Sequence, residues 1–249
     1  MKTDKPLGHK SYGHIPHFPG SRMGPGDHKC SEGQLKIATI KPRDRHDLII
    51  VQEKLDGSNV GVAKINNKII PITRAGYGAE TSPFLQHNYF AKWVLKNEKR
   101  FDILLNEKER VCGEWLLQAH GTRYNLIHEP FVAFDIMTGN NRLDFYHFDL
   151  RIAATGFIRP NTIWVGSSCS IGAAMEKLLG KSKHGAIDEV EGAVWRVERN
   201  ELINKGKGSE RRMAVDYLAK YVRPEKKDGI YLESNTGKGP VWNIDPKLI

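Results

Sequence analysis

Cysteine is almost missing from this 249-residue chain: Cys30, Cys112 and Cys169 are the only three. They are too few and too scattered for a disulfide framework or a zinc site. Long apolar runs are missing too, so no stretch reaches the roughly 20 residues that span a bilayer. The N-terminus lacks the apolar core of a signal peptide. These absences predict a reduced, cytoplasmic protein without a membrane partner. Acidic residues are the minority charge, 29 against 38 Lys and Arg, giving +9 and a pI near 9.4. That balance suits a polyanionic partner, although many unrelated proteins share it. Basic residues concentrate at Lys41–Arg45, Lys205–Arg212 and Arg223–Lys227. No internal repeat is present, and the oligomeric state is left open.

Punctuation divides the chain into three. Residues 1–34 are rich in Gly, Pro, His and Ser and poor in aliphatics, which predicts an irregular arm packed on the domain. Its His9, His14, His17 and His28 fit no standard metal-site spacing. Ser21–Asp27 reads as a plain turn, or as backbone amides and Arg22 facing a phosphate. Residues 35–223 form the main domain. From Pro83 to about Glu109 apolar residues recur at helical steps, and a shorter helix is expected over Ile171–Leu179, ended by Gly180. Strands dominate elsewhere, which predicts an α+β domain of antiparallel sheets flanked by helices. Residues 224–249 form a basic tail.

The chemistry concentrates at Glu53-Lys54-Leu55-Asp56-Gly57-Ser58-Asn59. The apolar run Leu48–Val51 before it reads as a strand covered on both faces. Val60–Ile65 reads as a second strand, so the pair predicts a hairpin-like unit bent at Asp56-Gly57-Ser58. Lys54 and Asp56 would then share a face. An ordinary lysine, with a pKa of about 10.4, is almost wholly protonated near neutrality. Burial and a second cation would favour the neutral, nucleophilic amine; the alternative is a surface lysine paired loosely with Asp56.

Further strands carry further polar residues. Ile70–Arg74 ends in a cation. In Val111–Leu116, Glu114 shares a face with Arg110, Cys112 and Leu116, and either meets a ligand or pairs with Arg110. Phe134 lies in a run, Phe131–Ile136, apolar enough to be core. Glu191 shares a face with Ala193, Trp195 and Val197, so it ends an apolar row. A carboxylate there is paired, bound to metal, or reaching water at the strand end. Leu218–Arg223 supplies Lys220.

In this order these segments resemble the motifs of the covalent nucleotidyltransferases, the polynucleotide ligases and capping enzymes. Lys54-Leu55-Asp56-Gly57 followed by Asn59 resembles motif I. Arg74, the Gly113-Glu114 pair, Phe134, Glu191-Gly192-Ala193-Val194 and Lys220 follow as the later motifs, over Glu53–Arg223. Glu before the lysine and Ser-Asn after the glycine are most similar to the RNA-ligase-2 branch. The resemblance implies an adenylation (nucleotidyltransferase, ATP-grasp-like) domain. It implies an ATP-dependent RNA ligase that carries AMP on Lys54, passes it to a 5′-phosphate, and seals that end to a 3′-hydroxyl. Glu53 and Phe134 would then line the adenine site, with Asn59 and Glu114 near the ribose. Arg74 and Lys220 would face phosphates. Glu191, helped by Asp56, would hold Mg²⁺ or Mn²⁺.

Position 218 is Leu, so the Lys-x-Lys pair often seen in the last motif lacks its first member here. Lys205 and Lys207 are the alternative source of that cation. Pro224–Ile249 is too short for the C-terminal oligonucleotide-binding (OB) barrel of DNA ligases and capping enzymes. That length disfavours a DNA ligase or guanylyltransferase; a non-catalytic RNA- or nucleotide-binding module is the third reading.

Overall fold

The computed structural model describes residues 5–180, 182–205 and 208–249. In chain order its elements are α1 (Glu32–Thr39), β1 (Asp47–Lys54), β2 (Ser58–Ile65), β3 (Lys68–Thr73), α2 (Leu85–Lys96), α3 (Glu98–Leu104), β4 (Glu109–Trp115), β5 (Phe131–Thr138), β6 (Asn141–Arg142), α4 (Phe145–Thr155), β7 (Thr162–Gly166), α5 (Ile171–Leu178), β8 (Gly192–Lys205), β9 (Gly208–Val222) and α6 (Glu233–Thr236). They build two antiparallel sheets, one ordered β7-β1-β8-β9 and the other β3-β2-β4-β5-β6. The α+β class expected from the sequence is the one observed.

The predicted hairpin of Lys54 and Asn59 does not form. β1 and β2 belong to different sheets, and Leu55-Asp56-Gly57 crosses between them. Burial explains this. Ile49, Ile50 and Val51 are fully buried, so β1 needs neighbours on both edges, and β7 and β8 supply them. β2 instead makes its hairpin with β3, through Asn66 and Asn67 at φ 52° and 57°. Positive φ at both central residues is what a tight hairpin turn requires. The crossing is close: a Cβ on Gly57 would lie 2.6 Å from the Trp115 carbonyl oxygen.

Each sheet buries one face under helices. Val60, Val62, Val111, Trp115 and Phe131 pack against Phe90, Trp93, Phe101 and Phe148 of α2–α4. Ile49, Val51, Ala193, Trp195 and Val197 pack against α1, α5 and Phe18 of the arm. The helix expected over residues 83–109 is two helices broken at Asn97, whose Nδ2 donates to the Trp93 carbonyl at 2.9 Å. Helix α1 was not anticipated. Its capping box is complete, with Ser31 Oγ accepting from Gln34 N at 3.2 Å and Gln34 Oε1 from Ser31 N at 3.0 Å.

Both chain ends pack on this frame. The arm runs beside the β9 edge, where Lys220 N donates to Pro16 O and Phe18 N to Lys220 O. Near the other end Ala119 N donates to Val241 O, and Trp242 meets Tyr89 edge-on at 5.8 Å. Among the described residues no helix is long and apolar enough to cross a membrane.

Candidate active site

The uncovered faces of the two sheets face each other across a cleft of about 910 Å³. Strand alternation decides which residues reach it. Gln52, Lys54, Val194, Arg196, Leu218 and Lys220 line it from one sheet; Asn59, Glu114 and Phe134 line it from the other. Arg196 ties the walls together, donating from Nη1 to Asp135 Oδ1 at 2.6 Å.

Lys54 sits at the end of β1, 21 % exposed, with Nζ donating to Glu191 Oε2 at 2.6 Å. Glu114 and Asp56 also act on its charge. Burial favours the neutral amine, but the three carboxylates outweigh it and Lys54 is raised to about 12. The expectation of a neutral amine is therefore corrected: in the free protein Lys54 is an ammonium. Glu191 does not end the apolar row either. That row, Ala193-Trp195-Val197, packs in the core. Glu191 stands one residue before β8, where alternation no longer governs it, and turns to Lys54.

The acid groups are strained by the same burial. Desolvation pushes Glu114 up to about 7 even though Lys54 opposes it, and pushes Glu191 up as well. Glu114 Oε1 accepts from Gly57 N at 3.0 Å and does not pair with Arg110. Folded Glu114 keeps its proton to about pH 7, whereas an unfolded one loses it near 4.5. The folded state therefore binds more protons in that window, and this residue's contribution falls as pH rises. Thermal melting of Glu114→Gln against wild type should show the variant gaining relative stability from pH 5 to pH 8. A constant difference would contradict the assignment.

Asp56 lies at the crossing, and its hydrogen bonds go to groups other than Lys54. Its Oδ2 accepts from Gly121 N at 2.9 Å and pairs with Lys226 Nζ at 2.9 Å; its own N–H donates to the Tyr124 hydroxyl. Burial would raise its pKa, but Lys226 and Lys54 bring it below the usual value. Lys226, 4 % exposed, also bonds Thr122. It is no spare tail cation, and nothing in Arg223-Pro224-Glu225-Lys226-Lys227 marks it as the buried one.

Glu53 borders the cleft, but its buried carboxylate accepts from Ser182 Oγ at 2.6 Å. Asn59 Oδ1 is buried without a hydrogen-bond partner among the described residues. Phe134 is half-buried in the cleft wall, edge-on to Tyr12 at 5.0 Å, and so is not plain core. Arg74 is exposed at the rim and donates to Gly13 O at 3.3 Å. Lys220 lies in the cleft with Nζ 3.7 Å from Asp27 Oδ1; burial and then Lys54 lower its pKa. Asp27 is itself 3.1 Å from His17 Nε2, so the arm braces this cation, a role no motif announced. Of the alternative pair, Lys207 lies outside the described residues, and Lys205 is described only as the last residue of β8.

Glu114 and Glu191 are buried beside one lysine, and desolvation is the main cause that raises both. A divalent cation bound there would favour their charged forms. Among the described residues no cluster of three or more metal-ligating side chains exists. The pattern suits a hydrated magnesium-like ion held by one or two carboxylates plus a ligand's phosphates.

Comparison with known proteins places these features in a family. The RNA ligase family model matches residues 47–222. An uncharacterized protein of Methanocaldococcus jannaschii, MJ0414, is 28 % identical over 118 residues, 46 % of this chain and 25 % of its own. Among solved structures, a Naegleria gruberi RNA ligase mutant in its apo form superposes with a TM-score of 0.49 at 13 % identity, covering 92 % of this chain and 60 % of that one. A putative ATP-dependent DNA ligase from Aquifex aeolicus gives 0.47 at 15 %, covering 85 % and 49 %. An archaeal ATP-dependent RNA ligase gives 0.45 at 15 %, covering 83 % and 48 %. The chain thus spans a quarter of the curated relative, and these superpositions are too loose to carry residue correspondences. The family match covers 176 of the 249 residues, including every strand of the cleft: the chain belongs to the RNA ligase family.

Proposed function

We propose that the protein is an ATP-dependent RNA ligase whose covalent nucleophile is Lys54. The observation that carries this reading is Lys54 itself: a cleft-facing amine, hydrogen-bonded to Glu191 and close in charge to Glu114, in a chain of this family. Two mutants of a Naegleria gruberi RNA ligase, each with ATP and Mn, are among the similar structures. ATP and Mg²⁺ or Mn²⁺ are the cofactors proposed here.

In this mechanism ATP enters the cleft with adenine against Phe134 and the ribose hydroxyls near Asn59 Oδ1 and Glu114. Arg74 and Lys220 face the phosphates. The bound divalent ion would neutralise phosphate charge beside Glu191. Lys54 gives up a proton, its Nζ forms a bond to the α-phosphorus, and pyrophosphate leaves with the electrons of the broken P–O bond. A 5′-phosphate oxygen of an RNA end then attacks that phosphorus, and the Nζ–P bond breaks to return the Lys54 amine. A 3′-hydroxyl oxygen displaces the AMP from that end, forming the phosphodiester. Preorganised charge does most of this work, because phosphoryl transfer is largely positioning and neutralisation.

Incubation with Mg²⁺ and α-labelled ATP, followed by a denaturing gel, tests the reading. A covalent label from ATP is expected. A label from GTP alone would indicate a capping-type enzyme, and no label from either would leave a binding module.

A further inference from the structure

A second, smaller cavity of about 350 Å³ opens on the same side of the β4–β5–β6 sheet, sharing only Gly13 with the main cleft. Lys10, Arg110 and Arg142 line it together with His9, Met137 and Asn140, and no carboxylate does. Arg110 is 2 % exposed. Its Nε donates to Ser11 O at 2.7 Å and its Nη2 to Gly139 O at 2.8 Å, while Nη1 has no hydrogen-bond partner among the described residues. A buried cationic donor left unbonded is costly and is normally satisfied by something bound. Arg142 is fixed by Asp135, Nε to Oδ2 at 3.0 Å, and stands 5.2 Å over the Tyr12 ring. Two guanidinium groups held by the protein and an exposed lysine line one cavity, and such donors are the ones that bind a phosphate.

We propose that this pocket binds a phosphate group of the RNA strand, apart from the nucleotide's own phosphates. Arg110 and Glu114 are four residues apart on β4, which separates the pocket from the reacting end of the cleft by about 13 Å. That is too far to serve a phosphate attacked by Lys54, and it fits a phosphate further along a bound strand. The strand as source rests on the ligase reading; the phosphate chemistry does not.

The test uses the full chain and a fluorescent, 5′-phosphorylated single-stranded RNA, with affinity measured across a salt series. Lys10→Gln, at an exposed position, and Arg110→Lys should each weaken binding about tenfold. Lys10→Gln, which removes a charge, should also reduce the salt slope by about 0.7, whereas the charge-conserving Arg110→Lys should leave the slope near wild type. Labelling of Lys54 by ATP should stay unchanged in both. RNA affinity unaltered in both variants, with the slope of Lys10→Gln unchanged, would mean that Nη1 is satisfied by water alone, and would overturn the proposal. A loss of apparent ATP affinity with RNA binding intact would assign the pocket to the nucleotide, and would overturn it too. A wild-type protein that takes no label, yet loses RNA affinity in these variants, would sink the ligase reading and leave the pocket standing.

Discussion

Lys54→Ala is expected to take no label from ATP at all, and Glu191→Gln to take it about a hundredfold more slowly, the scale of losing a preorganised electrostatic contact. The second variant carries the sharper expectation. With its pKa raised to about 12, only about one Lys54 in ten thousand is unprotonated at pH 8. Glu191 is the first of the carboxylates that hold the proton there. Removing its charge lowers that pKa and frees more amine. Lys54 in Glu191→Gln should therefore react faster with a small uncharged acylating reagent, read by mass spectrometry, even as nucleotide transfer collapses. A parallel fall in both reactions would mean that Glu191 only holds the side chain in place.

Lys226→Met should cost about 3 kcal/mol, because it strands the buried Asp56 carboxylate without its cation. For a chain of this size that is a fall in Tm on the order of 10 °C. Asp56→Asn combined with Lys226→Met should restore most of the loss, since removing both partners leaves no uncompensated charge. The pH sign follows from Asp56, whose folded pKa lies below the ordinary 3.8. Its contribution is complete above that value and disappears as pH falls through the depressed one. Additive losses in the double variant, read by thermal melting at pH 7, would show that the two residues act independently.

What was legible in the sequence was local. Apolar runs gave β1, β4 and β5 to within three residues, and the ordered resemblance to the nucleotidyltransferase motifs pointed to Lys54, Glu114, Phe134 and Lys220, all of which reach one cleft. What was not legible depends on pairing. Nothing local says that β1 seeks β7 and β8, residues 162–166 and 192–205, rather than the adjacent β2. The hairpin expectation failed for that reason. The charge on Lys54 was misjudged because burial was visible in its neighbours, while Glu191, 137 residues away, was not known to touch it. Lys226 and Asp27 come from segments of irregular composition, where no periodicity marks the inward side chain.

The Leu55-Asp56-Gly57 crossing also limits how the cleft can move. A three-residue tether joins the walls at one place, and the Arg196–Asp135 bridge clasps them at another. To open as a jaw the cleft would have to break that buried pair and strand its charges, at a cost of about 3–5 kcal/mol.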